Sequence, residues 1–208
     1  HRLVVELVAH AVDDFAEGLS RAVADEALDV SYQPKVAAHD GKPTGAEALL
    51  RWNDPALGAV SPARFVPALE RLGLIEVVGS WTLDRVCAQR ASWARAGLPA
   101  GKVAVNVSPL QLRSPDLAEH IVGCAAAHGL DPACLQIEIT EGSLIEDPDE
   151  VAATLRALRE HGIGICIDDF GTGFSSLQYL ARLPIDCLKI DRAFVEPLEN
   201  DPEVRSLV

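Results

Sequence analysis

Carboxylates, one amide and one lysine recur at or near the ends of apolar segments of this chain. They are Glu47 in GAEALLRW, Asn106 in KVAVNV, Glu138 in LQIEIT, Asp168 and Asp169 in IGICIDDF, and Lys189 and Asp191 in CLKID. A charged group in such a segment is costly unless it is paired or bound to a metal. Asp168-Asp169 is the strongest of these signals, because two adjacent like charges after a mostly apolar run need a counter-charge. Mg²⁺ or Mn²⁺ would supply it, since hard divalent ions select carboxylate and amide oxygens. Lys189 is then either a counter-ion or a catalytic cation. A metal beside carboxylates and a lysine suggests water activation and attack on a phosphate ester, with paired ions stabilising the attacking and leaving oxygens.

Each residue also has a plainer reading. Glu47 alone is equally well explained by a salt bridge to Arg51, and Asn106 by a cap on the turn before Ser108-Pro109. Glu138, between Ile137 and Ile139, could be the exposed face of a half-buried strand. Their common position late in successive strands favours one shared site, with oxygen donors dominant. Asp168 and Asp169 raise a geometric question, because successive residues on an ideal strand point to opposite faces. The expectation is that the strand ends there, which frees the second carboxylate, and that Gly171 and Gly173 allow a tight loop to follow.

The scaffold is read from periodicity. Residues 12–28 carry Phe15, Leu19, Val23 and Ala27 at helical spacing. Strands at about 30–37 and 44–51 flank HDGKPTG, whose Asp40-Gly41 suggests a hairpin. Ser61-Pro62 reads as an N-cap and first helical residue, followed by helices at about 62–72 and 76–96. From residue 102 strands and helices alternate: KVAVNV, a helix at about 115–128, LQIEIT, a helix at about 148–161, IGICID, a helix at about 175–182, and CLKID. Such alternation predicts βαβ units and a mainly parallel sheet, whose active sites gather at the carboxyl ends of the strands.

Composition narrows the partners. With 31 acidic against 18 basic residues and a net charge of -13, the chain is ill suited to polymeric nucleic acid or anionic membrane. A small anionic ligand held by metal ions or a few local cations remains compatible. No apolar run reaches the ~20 residues that span a bilayer, and no signal-peptide pattern opens the sequence. The chain begins at His1 and contains no methionine, as expected of a fragment of a longer chain or a processed product. The 5 cysteines include no C-x-x-C pair, and Cys166 and Cys187 read as buried small hydrophobes in a reducing cytosol. The histidines show no H-x-x-H or H-E-x-x-H spacing, so oxygen is the expected metal donor.

Five motifs then occur together in order: EALLRW at 47–52, NVS at 106–108, EITE at 138–141, DDFGTGFSSL at 168–177 and LKID at 188–191. In this the chain resembles the EAL domain of bacterial cyclic-di-GMP phosphodiesterases from about residue 20 onward. The resemblance implies an α/β fold, a modified TIM (β/α)₈ barrel with an antiparallel first strand, of which about six of eight strands are present. It implies a helical lead-in or linker over 1–18 and an EAL domain over 19–208 that lacks its C-terminal βα units. An open barrel of that kind would expose the edge of its sixth strand.

The implied activity is metal-dependent hydrolysis of cyclic-di-GMP to linear pGpG, with one or two Mg²⁺ or Mn²⁺ ions. Carried over residue by residue, the metal ligands are Glu47, Asn106, Glu138, Asp168 and Asp169. Lys189 orients the attacking water and joins Glu47 and Asp168 as catalytic residues. Gln33, Arg51 and Asp191 contact substrate, and Glu141 anchors the loop containing Gly171, Thr172 and Gly173. The implied partners are cyclic-di-GMP, a second copy in a homodimer, and sensory or GGDEF domains in the full protein. The implied setting is the cytoplasm, including the cytoplasmic part of a membrane-anchored protein. The alternatives are a non-catalytic cyclic-di-GMP receptor, which the shortened domain favours, and an unrelated enolase-like barrel.

Overall fold

A computed structural model describes residues 14–98, 101–144, 148–171, 180 and 182–196. A helix over 14–24 (α1) leads into a hairpin of β1 (Leu28–Val36) and β2 (Pro43–Asp54). The turn is built as Asp-Gly chemistry predicts. Gly41 takes φ +68°, its N–H donates to the Ala37 carbonyl at 2.8 Å, and the Asp40 carboxylate accepts the Lys42 N–H at 3.1 Å. A short β3 (Gly58–Val60) pairs with the far end of β2. Sequence reading missed β3 and ended β2 at residue 51, because a three-residue strand containing glycine has too little pattern to see.

Helices α2 (Pro62–Arg71) and α3 (Ile75–Arg95) follow, then β4 (Lys102–Asn106), α4 (Pro109–Leu112), α5 (Leu117–Ala127), β5 (Leu135–Thr140), α6 (Pro148–Glu160), β6 (Gly164–Phe170) and β7 (Cys187–Ile190). The α2 start matches expectation in part: Pro62 opens the helix, but Ser61 makes no side-chain cap. Most of the helix expected at 175–182 lies outside the described residues.

The strands run in the order β1-β2-β4-β5-β6-β7. β1 is antiparallel to β2, and the later neighbours on that path are parallel. β7 is four strands from β2, about 19 Å away in a flat sheet. Yet Lys189 on β7 reaches Glu47 on β2 at 3.0 Å, so the sheet curls round as a partial barrel wall. The expected fold is therefore present: α/β, with an antiparallel first strand and, among the described residues, six strands on the main path.

Alternation divides each strand between two environments. Val103, Val105, Ile137, Ile139, Ile165 and Ile167 point outward into one core with Leu83 and Val86 of α3, Ile121 of α5, and Leu155 and Leu158 of α6. Burial of each such side chain stabilises by about 1.5–3 kcal/mol. A second core joins α1, α2 and the far end of β2, where Trp52 meets Phe15 and Phe65 edge-on at 5.3 and 5.9 Å between centroids. The inward positions on β4, β5, β6 and β7 are left for Asn106, Glu138, Asp168 and Lys189.

Cys166 and Cys187 depart from the expectation of separate buried thiols. Adjacent parallel strands place them in register, and they are joined as a disulfide, with Cys187 only half-buried. Among the described residues no helix is long and apolar enough to cross a membrane.

Candidate active site

The Lys189 ammonium sits inside a ring of three carboxylates. It donates to Glu47 Oε2 at 3.0 Å, Glu138 Oε2 at 2.8 Å and Asp168 Oδ2 at 2.9 Å. Burial works to discharge it, but the hydrogen bonds to Glu138, Asp168 and Glu47 outweigh that and hold its pKa above the ordinary lysine value. Asn106 Nδ2 donates to Glu47 Oε1 at 3.1 Å. The plainer readings of the sequence therefore fail. Glu47 turns to Lys189 and Asn106 rather than Arg51. The turn after β4 is capped by Ser108, whose side chain accepts the Gln111 N–H while the Gln111 side chain accepts the Ser108 N–H. Glu138 is fully buried.

Glu138 has a second cation that sequence reading overlooked. Lys35 on β1 donates to Glu138 Oε1 at 3.0 Å and to Gln136 Oε1 at 2.8 Å. The signal was available: Lys35 lies two residues beyond Gln33, hence on the same strand face, and Gln33 stands directly opposite Glu47 in the hairpin. Gln33 itself is exposed. Arg51 is also exposed and lies four residues beyond Glu47, about 13 Å along β2. It bonds the Leu50 carbonyl and is not part of the carboxylate ring.

The aspartate pair is resolved differently from expectation. β6 does not end at Asp168 but continues to Phe170, with a register break against β7. Ile167 pairs with Leu188 and Phe170 with Ile190, so Asp168 and Asp169 together oppose Lys189. Two residues opposite one define a β-bulge, a device that re-aims side chains beside active sites. Asp169 takes φ +52° to make it, a left-handed conformation that aspartate tolerates better than most residues. Asp168 Oδ1 accepts the Asp169 N–H at 2.9 Å. Burial, then repulsion from Asp168 and Asp191, keeps the Asp169 carboxyl above its usual range, and it shares a hydrogen bond with Asp191. Asp191 in turn caps the helix Arg192–Val195 through the Ala193 N–H at 2.7 Å. Glu141, 3% exposed, accepts the Gly171 N–H at 3.1 Å, which ties the start of the loop after β6 to the end of β5. Thr172 and Gly173 lie outside the described residues.

Carboxylate oxygens of Glu47, Glu138 and Asp168 all lie within 4.8 Å of one another, close enough to share one metal ion. The donor set is oxygen-only and its formal charge exceeds that of the two lysines that touch it, which suits a hard divalent cation. These three residues, Asn106 and Asp169 also form part of the wall of a cavity of about 600 Å³ that continues beneath Val66, Ile75 and Val78.

The family sequence model for the EAL domain matches residues 16–208. The chain belongs to the EAL domain family. This EAL domain is 42% identical over 190 residues to a bifunctional diguanylate cyclase/cyclic di-GMP phosphodiesterase, MucR, of Pseudomonas aeruginosa, covering 91% of the chain and 28% of that protein. It is 40% identical over 195 residues to the cyclic di-GMP phosphodiesterase NbdA of the same organism, covering 92% of the chain and 25% of that protein. The chain thus spans about a quarter of the length of these relatives. The solved structure of the MucR phosphodiesterase in complex with c-di-GMP superposes with a TM-score of 0.86 at 41% identity, covering 92% of this chain and 77% of that one.

Proposed function

We propose that this EAL domain hydrolyses cyclic-di-GMP to linear pGpG, using Mg²⁺ or Mn²⁺ held by Glu47, Asn106, Glu138, Asp168 and Asp169. The observation that carries the reading is the ring of three carboxylates around Lys189, drawn from four strands and built from intact EAL motifs. The names of the relatives, and the c-di-GMP complex of one of them, support the choice of substrate.

When bound, the cation would supply Lewis-acid polarisation of the phosphate and charge stabilisation in the transition state. The chain's own groups do the rest. Lys189, held by Glu138 and Asp168, donates to the attacking water and leaves a lone pair free to face phosphorus. Glu47 or Asp168 accepts the water proton. The new P–O bond forms as the P–O3′ bond breaks, and the leaving ribose oxygen recovers a proton, giving a 5′-phosphate and a 3′-hydroxyl. Gln33 reads a guanine edge, Arg51 meets a phosphate, and Asp191 lines the pocket while restraining Asp169.

The test is incubation of the full chain with cyclic-di-GMP and Mn²⁺, with products followed by chromatography. Appearance of pGpG that stops on chelation supports the proposal. Binding without pGpG overturns it in favour of a receptor.

A further inference from the structure

A second group of potential ligands lies away from the barrel mouth, on the helical layer. Asp84 and Cys87 are three residues apart on one face of α3, and Cys124 and His128 are four apart at the end of α5, which packs beside it. Asp84 Oδ1 and His128 Nε2 are 2.8 Å apart. One ligand atom each from Asp84, Cys124 and His128 falls within 4.8 Å of the others. The thiols of Cys87 and Cys124 share a hydrogen bond, and both are free cysteines. Bonds of about 2.0–2.3 Å to such ligands give a tetrahedron with edges of about 3.3–3.8 Å. Small rotamer shifts therefore separate Asp84, Cys124 and His128 from a coordination sphere. The set differs in kind from the oxygen-only ring at the barrel mouth.

We infer that Asp84, Cys124 and His128, with Cys87 as fourth ligand, form a structural site for Zn²⁺ or a similar borderline-soft ion that clamps α3 to α5. One thiol, one imidazole and one carboxylate on two helices are a zinc donor set, and the added buried thiol completes four. The Asp84 side chain is 64% exposed and His128 24%, which opens a path from solvent, while Cys87 closes the inner side. Burial keeps both thiols protonated without metal, so binding releases their protons to solvent and replaces the Asp84–His128 hydrogen bond. A scan for C-x-x-C or H-x-x-H passes over this site, because each helix contributes two different ligand types.

The test is titration of the metal-free full chain, its Cys166–Cys187 disulfide intact, with Co²⁺, followed by optical spectroscopy. The inference expects a sulfur-to-cobalt charge-transfer band with intensified tetrahedral d–d bands, bleached by stoichiometric Zn²⁺. Cys124→Ser weakens the charge-transfer band, Cys87→Ser combined with Cys124→Ser abolishes it, and His128→Ala, at a position 24% exposed, weakens Co²⁺ binding by roughly tenfold or more. Asp168→Ala, at the barrel mouth, leaves the sulfur band unchanged. Absence of a sulfur band, its survival in the double variant lacking both Cys87 and Cys124, or its loss in Asp168→Ala each overturns the inference.

Discussion

Ile137 and Glu138 are neighbours on β5, and both are completely buried, yet they sit in opposite worlds. Ile137 faces outward into the layer of Ile121, Leu155 and Leu158, where dispersion and water exclusion hold the fold together. Glu138 faces inward, where Lys35 and Lys189 take its two oxygens. Burial alone thus says nothing about a residue's role. The partner decides, and strand alternation assigns the partner. The outer face holds the structure and the inner face gathers a charge density that a purely structural protein would gain little from keeping.

The contrast can be broken in steps. Ile137→Ala is expected to cost about 2–5 kcal/mol in urea unfolding, because it leaves a cavity in the outer layer. The hydrolytic rate per folded molecule should be close to wild type. Asp168→Ala inverts that pattern, with turnover falling by about a hundredfold or more, near 2.7 kcal/mol of barrier, and unfolding free energy changing little. Lys189→Met separates two roles within the inner face. It leaves Glu47 and Asp168 without their cation and Glu138 with Lys35 alone, and should lower stability by about 1–3 kcal/mol without divalent ions, discounted for partial exposure. Added Mg²⁺ should raise the melting temperature of this variant more than that of wild type, and an equal rise would show that the ring does not recruit the ion. The smallest effect belongs to Glu141→Gln. A neutral acceptor for the Gly171 N–H is weaker by about 1 kcal/mol, which speeds exchange of that amide by about fivefold.

Much of the inner face could be read from the residues. LQIEIT alternates so cleanly that Leu135, Ile137 and Ile139 had to share one side and Glu138 the other, and four strands of this kind placed the polar residues at one end. The bulge at Asp169 was not legible, because it depends on how β6 registers against β7, a relation between chains of residues and not a property of either strand. For the same reason the Cys166–Cys187 pairing escaped notice, as did the choice of Lys189, 142 residues away, over nearby Arg51 as the partner of Glu47. Asp84 and His128 met only through the packing of two helices, which no local spacing encodes.

The inward carboxylates are expected to bind a hard divalent cation. Mn²⁺ binding to the full chain, read from the loss of the free-ion electron paramagnetic resonance signal, tests it most directly. Wild type should bind the ion, and both Asp168→Ala and Glu138→Gln should nearly abolish binding. Wild-type affinity in either variant would contradict it.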